Sequence, residues 1–374
     1  MEQNDTPLKG ARLERCWDAR FVSEEVGVSL STYRRWEAGR QAPNQMSLQA
    51  LCRLFGMSAE ELGFSRQPRR RKRDQAQESY AQALLLWTLG IDACWQHYMS
   101  GWQEELERSL SGYLANLTRP TLTPGPDQKT AAGLMAQVYQ LSALLKLQRG
   151  DFVAAQADST QALVYSQLAG DWNMYVASQI RLATILSARK RIGSALNTYN
   201  EALRCVNTHP GRISPLLQSW IFAGLGEIQA TMGREQEALR FLQLALAVFP
   251  AEPENDPCYP YTRCDRSLLF SYEGLIFLRL GQPKAAWDAF AQIDELRPPP
   301  PERVRAEFLK HRVYTSCVLG NMIQSCIYLE AAVRAAREIG SDLVFGEIYT
   351  LYEHMTALWG GEPRVRALAQ LFQR

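Results

Sequence analysis

From about residue 131 onward, small and apolar residues recur with a helical period, and the whole pattern then repeats. Gly150, Lys190, Gly233, Gly281, Gly320 and Gly360 mark equivalent positions, spaced by 40, 43, 48, 39 and 40 residues. Seven residues before them stand Ala143, Ala183, Gly226, Gly274, Val313 and Glu353. Five after come Ala155, Ala195, Ala238, Ala286, Ser325 and Val365, and twelve after come Ala162, Ala202, Ala245, Ile293, Ala332 and Phe372. This register predicts a helix, a tight turn at the anchor and an antiparallel second helix, with small residues where backbones approach. Four units fit closely, the fifth is looser, and the sixth fits poorly, as a terminal cap does. The 48-residue spacing reflects a proline-rich insertion, Ala251 to Asp265. Residues 77–130 also read as helices that cap or connect, with a loop at Thr121 to Pro126.

The first 64 residues carry a different pattern, five short helices. Leu8, Ala11 and Leu13 give the first an inner face over about Leu8 to Cys16. The second runs from about Ala19 to Val26 and stops at Gly27. Ser29 caps the third, Leu30 to Ala38, which ends at Gly39. Ser47 is expected to cap the fourth. Ser58 with Glu61 three residues on forms a capping-box pattern for the fifth. Gly27-Val28-Ser29 is a turn short enough to make two helices cross at a large angle. Val22, Val26 and Val28 are then expected to pack on Tyr33 and Trp36.

The run Leu8 to Trp17, followed by Val26-Gly-Val-Ser-Leu-Ser-Thr-Tyr-Arg-Arg-Trp-Glu-Ala-Gly39, resembles the Cro/C1-type (XRE) helix-turn-helix family. The resemblance covers about residues 7 to 64. It implies double-stranded DNA as partner, with the third helix in the major groove. On this chain it assigns Leu30, Ser31, Arg34 and Arg35 to base edges. The forks of Arg34 and Arg35 suit guanine, and Leu30 suits a thymine methyl. Ser29, Thr32 and Arg40 fall to phosphate. The chain departs from the family at Ala19, where Gln is common; Arg20 stands beside it.

The offsets of the long segment resemble the tetratricopeptide repeat in slightly longer units. The clearest copy runs from Ala223 to Gly233 and on through Ala245 to Pro250. The fold class that follows is all-α: a small five-helix helix-turn-helix domain (1–64), a basic linker (65–76), a helical segment (77–130), and a right-handed tetratricopeptide-like α-solenoid of about six helix pairs (131–374). The first helix of each pair lines the concave face in such a solenoid. The register places Gln137, Gln140, Thr184, Trp220, Glu227, Ser271, Arg279, Glu307, Lys310, Tyr314 and His354 there as exposed positions. Amides, opposite charges and aromatics suit an extended peptide or a protein segment.

Charge sharpens the division. The 374 residues sum to only +2. Residues 1–76 nevertheless hold 14 basic and 10 acidic side chains, which leaves 27 and 29 for the remainder. A basic head on an acidic body is a partner signal that the total conceals. The run Ser65 to Arg73 carries six cations and reads as a solvated linker.

Eight scattered cysteines and four separated histidines form no metal-ligand spacing, so no metal or cofactor is expected. Cys258 and Cys264 share the insertion and are the one pair worth testing. The sequence lacks a GxxxxGK[ST] phosphate loop, HExxH, GxSxG and GxGxxG, and an enzyme is not expected. No apolar stretch is long enough to span a bilayer, and the first ten residues lack a signal-peptide core. The expectation is a cytoplasmic protein.

An XRE-type head joined to such repeats resembles the peptide-sensing (RRNPP-like) regulators of Gram-positive bacteria. That resemblance implies a homodimer, a short peptide in the groove, and heads whose placement the peptide controls. The alternative is an interaction scaffold with weak DNA binding.

Overall fold

The computed structural model of the chain describes residues 6–64, 69–101 and 103–373. They form helices and connecting turns, with no strand among the described residues. The chain divides into two compact units, Met1–Ser79 and Tyr80–Arg374.

The first unit contains α1 (Pro7–Glu14), α2 (Ala19–Val26), α3 (Leu30–Glu37) and α4 (Gln45–Phe55). Leu8, Val22, Tyr33, Trp36, Leu51, Phe55 and Leu62 make its core, with Val26 and Val28 half-buried against it. Leu13, expected to face inward, is half exposed. It lies five residues past Leu8, about 140° around the helix. Asn44, rather than Ser47, caps α4: its side chain accepts from the Ser47 N–H at 2.8 Å. The expected fifth helix does not form. Ser58 and Glu61 do exchange both capping-box bonds, at 2.7 and 3.2 Å. Gly63 then turns left-handed (φ 82°) and ends the segment after little more than a turn.

Helix α5 (Arg69–Ser100) begins inside the expected linker, whose residues 65–68 lie outside the described residues. The arginines, lysine, glutamines and alanines from 69 on are strong helix formers, so the basic run continues as a helix. Helix α6 (Gln103–Leu122) runs slightly into the expected loop.

The pairs of the second unit follow in order: α7 (Gln128–Gln148) and α8 (Phe152–Ala169), α9 (Trp172–Ala188) and α10 (Ile192–Thr208), α11 (Pro215–Thr231) and α12 (Glu235–Val248). A short helix, α13 (Tyr259–Thr262), lies in the insertion. Then come α14 (Arg266–Arg279) and α15 (Pro283–Asp294), and α16 (Glu302–Val318) and α17 (Met322–Glu338). The last pair is irregular: α18 (Asp342–Trp359) is followed not by a full second helix but by the short α19 (Pro363–Ala367) and a 3-10 turn, as expected of a terminal cap.

The small positions of the register are buried in every regular pair, from Ala143, Ala183 and Val313 to Ala155, Ala195, Ala238 and Ala286. First helices pack on one another in series, α7 on α9, α9 on α11, α11 on α14, α14 on α16 and α16 on α18, while the second helices stay outside. Helix α18 also touches α7, so the series returns on itself. Gln103 donates to the Ile339 carbonyl at 2.7 Å, and Ser341 donates to Gln148 at 2.5 Å, across that closure.

The anchors share a backbone conformation. Gly150, Gly233, Gly281 and Gly320 have φ of 73–76°. Lys190 takes the same left-handed turn at 58°, whereas Gly360, in the irregular pair, does not. A side chain in that region costs about 1–2 kcal/mol. Lys190 is exposed and its side chain is not needed for packing. Lys190→Gly should therefore stabilise the solenoid by about 0.5–1 kcal/mol in urea unfolding, after the entropy cost of glycine. A destabilised variant would refute the strain.

Candidate nucleic-acid interface and inner solenoid face

In the head, the turn between α2 and α3 is fixed by backbone geometry. Gly27 is left-handed (φ 76°), the Gly27 N–H donates to the Glu24 carbonyl at 3.1 Å, and Val28 donates to Ser23 at 2.9 Å. Ser29 then caps α3, its hydroxyl accepting from the Thr32 N–H at 3.2 Å and lying 2.8 Å from the Thr32 hydroxyl. Tyr33, Trp36 and Glu37 are buried, which locks one face of α3 to the core. Ser31, Arg34 and Arg35 stand on the exposed face, and Arg40 is exposed just beyond Gly39. No ion pair within the described residues holds Arg34 or Arg35. Leu30 and Thr32 are half-buried, Leu30 against the core. Arg20 is paired with Glu24 at 3.2 Å.

One ion pair beneath this face sets its geometry. Arg12 Nε donates to Glu37 Oε1 at 2.6 Å, and Arg12 also donates to the Trp17 carbonyl at 2.8 Å. The bond to Glu37 raises the arginine's pKa although burial opposes it. Thr6 Oγ1 donates to the Glu37 carbonyl at 2.6 Å. Helix α1 is thereby tied to the end of α3.

In the solenoid, the inner face differs between its two halves. The residues expected to be exposed near the N-terminal pairs are covered. Gln140 is fully buried, bonded to Ser178 (2.8 Å) and accepting from Arg181 (2.8 Å). Trp220 is buried and donates to the Tyr272 hydroxyl at 3.3 Å. Gln137 is half-buried and accepts from Trp95 at 3.0 Å, while Thr184 is half-buried with its hydroxyl on the Ile180 carbonyl. The cause is that α5 and the insertion occupy this half: Trp95 lies against Gln137, and the Tyr261 carbonyl accepts from Arg181 at 2.8 Å.

Toward the C-terminal pairs the face opens. Arg279 and His354 are exposed, Tyr314 is 41% exposed, and Ser271 is half-buried with its hydroxyl on the Ser267 carbonyl. Lys310 bridges Glu307 and Glu347 at 2.5 Å each. Burial alone would lower the Lys310 pKa, but the two carboxylates outweigh it and hold the ammonium charged. Burial raises the Glu227 pKa against the pull of Arg279 and Lys310. His311 is pushed well down by burial, with Lys310 and Arg279 adding to the effect, so its imidazole is neutral near pH 7.

Arg181, Tyr272 and His311 are inner-face residues that sequence reasoning missed. All three stand nine residues before an anchor, a row adjacent to the ones chosen. The other members of that row are Leu141, Gly224 and Leu351, which hides its polarity. Trp95 and Tyr98 of α5 lie outside the repeat and gave no periodic signal.

All eight cysteines are free, including Cys258 and Cys264, both buried with pKa raised by burial. No cluster of metal-ligating side chains occurs among the described residues. No helix among them is long and apolar enough to cross a membrane.

No curated protein matches the chain. Among solved structures, BtubC (BKLC) from P. vanneervenii is similar at 16% identity and a TM-score of 0.44, over 64% of this chain and 92% of that one. A tetratricopeptide repeat protein from Parabacteroides merdae is similar at 16% identity and a TM-score of 0.29, over 62% and 89%. The family model described as Helix-turn-helix matches residues 8–62. Those residues, α1 to α4 with the Ser58–Glu61 turn, form an XRE-type helix-turn-helix domain.

Proposed function

We propose that the protein is a sequence-specific DNA-binding transcriptional regulator. Its solenoid senses a short peptide or protein segment and thereby controls how the heads of a homodimer are held. One observation carries the DNA reading. Helix α3 is capped by Ser29 and locked by Tyr33 and Trp36, and it presents Ser31, Arg34 and Arg35 outward with the guanidiniums in no ion pair. Two free forks on the outer face of a short rigid helix suit guanine O6 and N7. Ser29, Thr32 and Arg40, at the ends of the helix, suit phosphate.

The test is selection of binding sites from random duplexes with the full chain. An enriched, two-fold symmetric motif is expected, because one short helix reads too few bases for useful affinity alone. Arg35→Ala should leave the circular dichroism unchanged and weaken the selected site by about 1–3 kcal/mol, roughly 5- to 150-fold. Enrichment of no sequence would end the proposal, and an unchanged footprint would remove Arg35 from it.

Peptide sensing is supported by the open C-terminal part of the inner face, where Arg279 of α14, Tyr314 of α16 and His354 of α18 are exposed. Ligand can shift head placement only by binding one solenoid conformation better than another. A scaffold function is favoured by a separate feature, the exposed Val318, Leu319, Ile323 and Ile327 at the α16–α17 turn. Operator affinity measured with and without peptide separates the two readings, since a scaffold shows no peptide effect.

A further inference from the structure

Helix α5 buries one side and leaves the other bare. Leu84, Ile91, Cys94, Trp95 and Tyr98 lie in the solenoid core. At its C-terminal end the closure meets it as well: Arg303 donates to the Tyr98 carbonyl at 2.7 Å, and Gln103 just beyond bonds to Ile339. Ahead of that point Leu85, Leu86 and Leu89 are 65%, 68% and 61% exposed. Ala81, Gln82 and Ala93 are exposed beside them. Side chains four apart share a helix face, so Ala81, Leu85, Leu89 and Ala93 form one ridge about 18 Å long.

This stretch carries almost no charge. Among residues 80–100 Asp92 is the one Asp, Glu, Lys or Arg, and it is half-buried. The other end of the repeat series differs: α18 exposes Asp342, Glu347 and Glu353. A terminal repeat needs a polar outer face, because no further repeat covers it. The first pair does the reverse, and a contiguous set of leucines left in water marks an interaction surface.

The order of residues along the ridge identifies the occupant. Ala-Leu-Leu-Ala at equal spacing reads the same from either end. A two-fold contact sets a surface against itself, so each residue must suit the one it meets. With the dyad crossing α5 midway between Leu85 and Leu89, Leu85 meets Leu89 of the second copy, and Ala81 meets its Ala93. The leucines fill the centre, and the alanines beyond them let the helices run on without a clash. Gln82 comes opposite Asp92 of the second copy, an amide donor facing a carboxylate, and no like charges oppose each other.

We propose that α5 is a dimer interface, in which the ridges Ala81, Leu85, Leu89 and Ala93 of two copies pack antiparallel. The homodimer rests on the reading given under Proposed function; the surface that forms it rests on this ridge. One helix face of this length covers less than the roughly 800 Å² per partner of a standard interface, so a dissociation constant on the order of micromolar is expected.

The experiment is sedimentation equilibrium of the full chain without DNA, from about 1 to 100 μM. A monomer–dimer equilibrium is expected. Leu85→Lys and Leu89→Glu, both at exposed positions and checked by circular dichroism, should each weaken it at least tenfold, because each buries two charges against apolar partners. Mixing the two variants in equal amounts should restore the dimer. In the mixed pair the introduced lysine meets the introduced glutamate on one side of the dyad, and Leu89 of one chain meets Leu85 of the other on the second side. A parallel pairing sets like positions together and gives no such rescue. If either variant misfolds, Ala81→Lys mixed with Ala93→Glu repeats the test on the outer positions.

A dimer that neither variant weakens overturns this interface and leaves the homodimer of Proposed function standing. Weakening without rescue in the mixture overturns the antiparallel pairing. A chain that stays monomeric at about 100 μM overturns the proposal, whether its own head or another protein then covers the leucines. If that chain is also monomeric on its selected DNA site, the homodimer of Proposed function falls with it.

Discussion

Glu37→Ala is expected to unfold the head while the solenoid stays intact. The carboxylate is 9% exposed and meets Arg12, itself 12% exposed, at 2.6 Å. Removing one partner of a buried pair leaves the other charged and unsolvated, at a cost of about 3–5 kcal/mol. The head is a domain of about sixty residues, whose whole stability is of that order. Its melting transition should fall by about 12 °C or more, or vanish. The Tyr80–Arg374 unit makes no use of this pair, so its transition should not move. Calorimetry of the full chain reads both units in one scan. Glu37→Gln keeps an acceptor for Arg12 Nε and should fall between the two. DNA binding should be lost with Glu37→Ala at temperatures where the head is unfolded, although Glu37 faces away from the exposed side of α3. A head transition within about 2 °C of the unaltered chain would show that the pair contributes nothing.

Local chemistry made the head legible in the sequence. Gly27, Ser29 and Gly39 each impose their turn or cap through their own backbone or hydroxyl, and α2 and α3 lie where those residues put them. The errors have equally local causes. Asn44 outcompeted Ser47 because a cap is chosen by backbone conformation, and several polar residues stood in line. The Ser58–Glu61 box formed its bonds without a helix because Gly63 lies too close behind it. In the solenoid, the register identified the buried small positions, since each must lie between two backbones whatever the rest of the chain does. It even marked Lys190, whose left-handed turn no composition rule suggests. Exposure of the inner face was not legible. Gln140 and Trp220 sit on the expected side of their helices, but α5 and the insertion fill the space before them. Those segments lie outside the repeat, and their meeting with α9 joins residues 80 or more positions apart. No periodicity reports such a contact.

Gly226→Leu is expected to destabilise the solenoid by about 3 kcal/mol, at the upper end of what overpacking costs. A Cβ at Gly226 would lie 2.8 Å from Ile276 Cδ1, 3.2 Å from the Ala238 carbonyl oxygen and 3.6 Å from the Leu242 nitrogen. The isoleucine can rotate away. The other two atoms are backbone of α12, so a larger side chain must push α11 and α12 apart. Alanine is the control: it adds one carbon, gains helix propensity of nearly 1 kcal/mol, and should come out close to neutral. How far the damage spreads is the more informative measurement. In an open array of repeats, opening one interface loosens its neighbours and little else. Here α18 returns to α7, and Gln103, Ser341 and Arg303 bond across the closure. Separating α11 from α12 in the middle of the series should therefore strain contacts at its ends. Hydrogen exchange on Gly226→Leu should rise in α11, α12 and α14, and also in α7 and α18, where an open array predicts no change. Exchange confined to the middle pairs would mean that the closure carries little energy. Stability within about 0.5 kcal/mol of the unaltered chain would mean that the backbones can separate freely, against the burial of every small position around them.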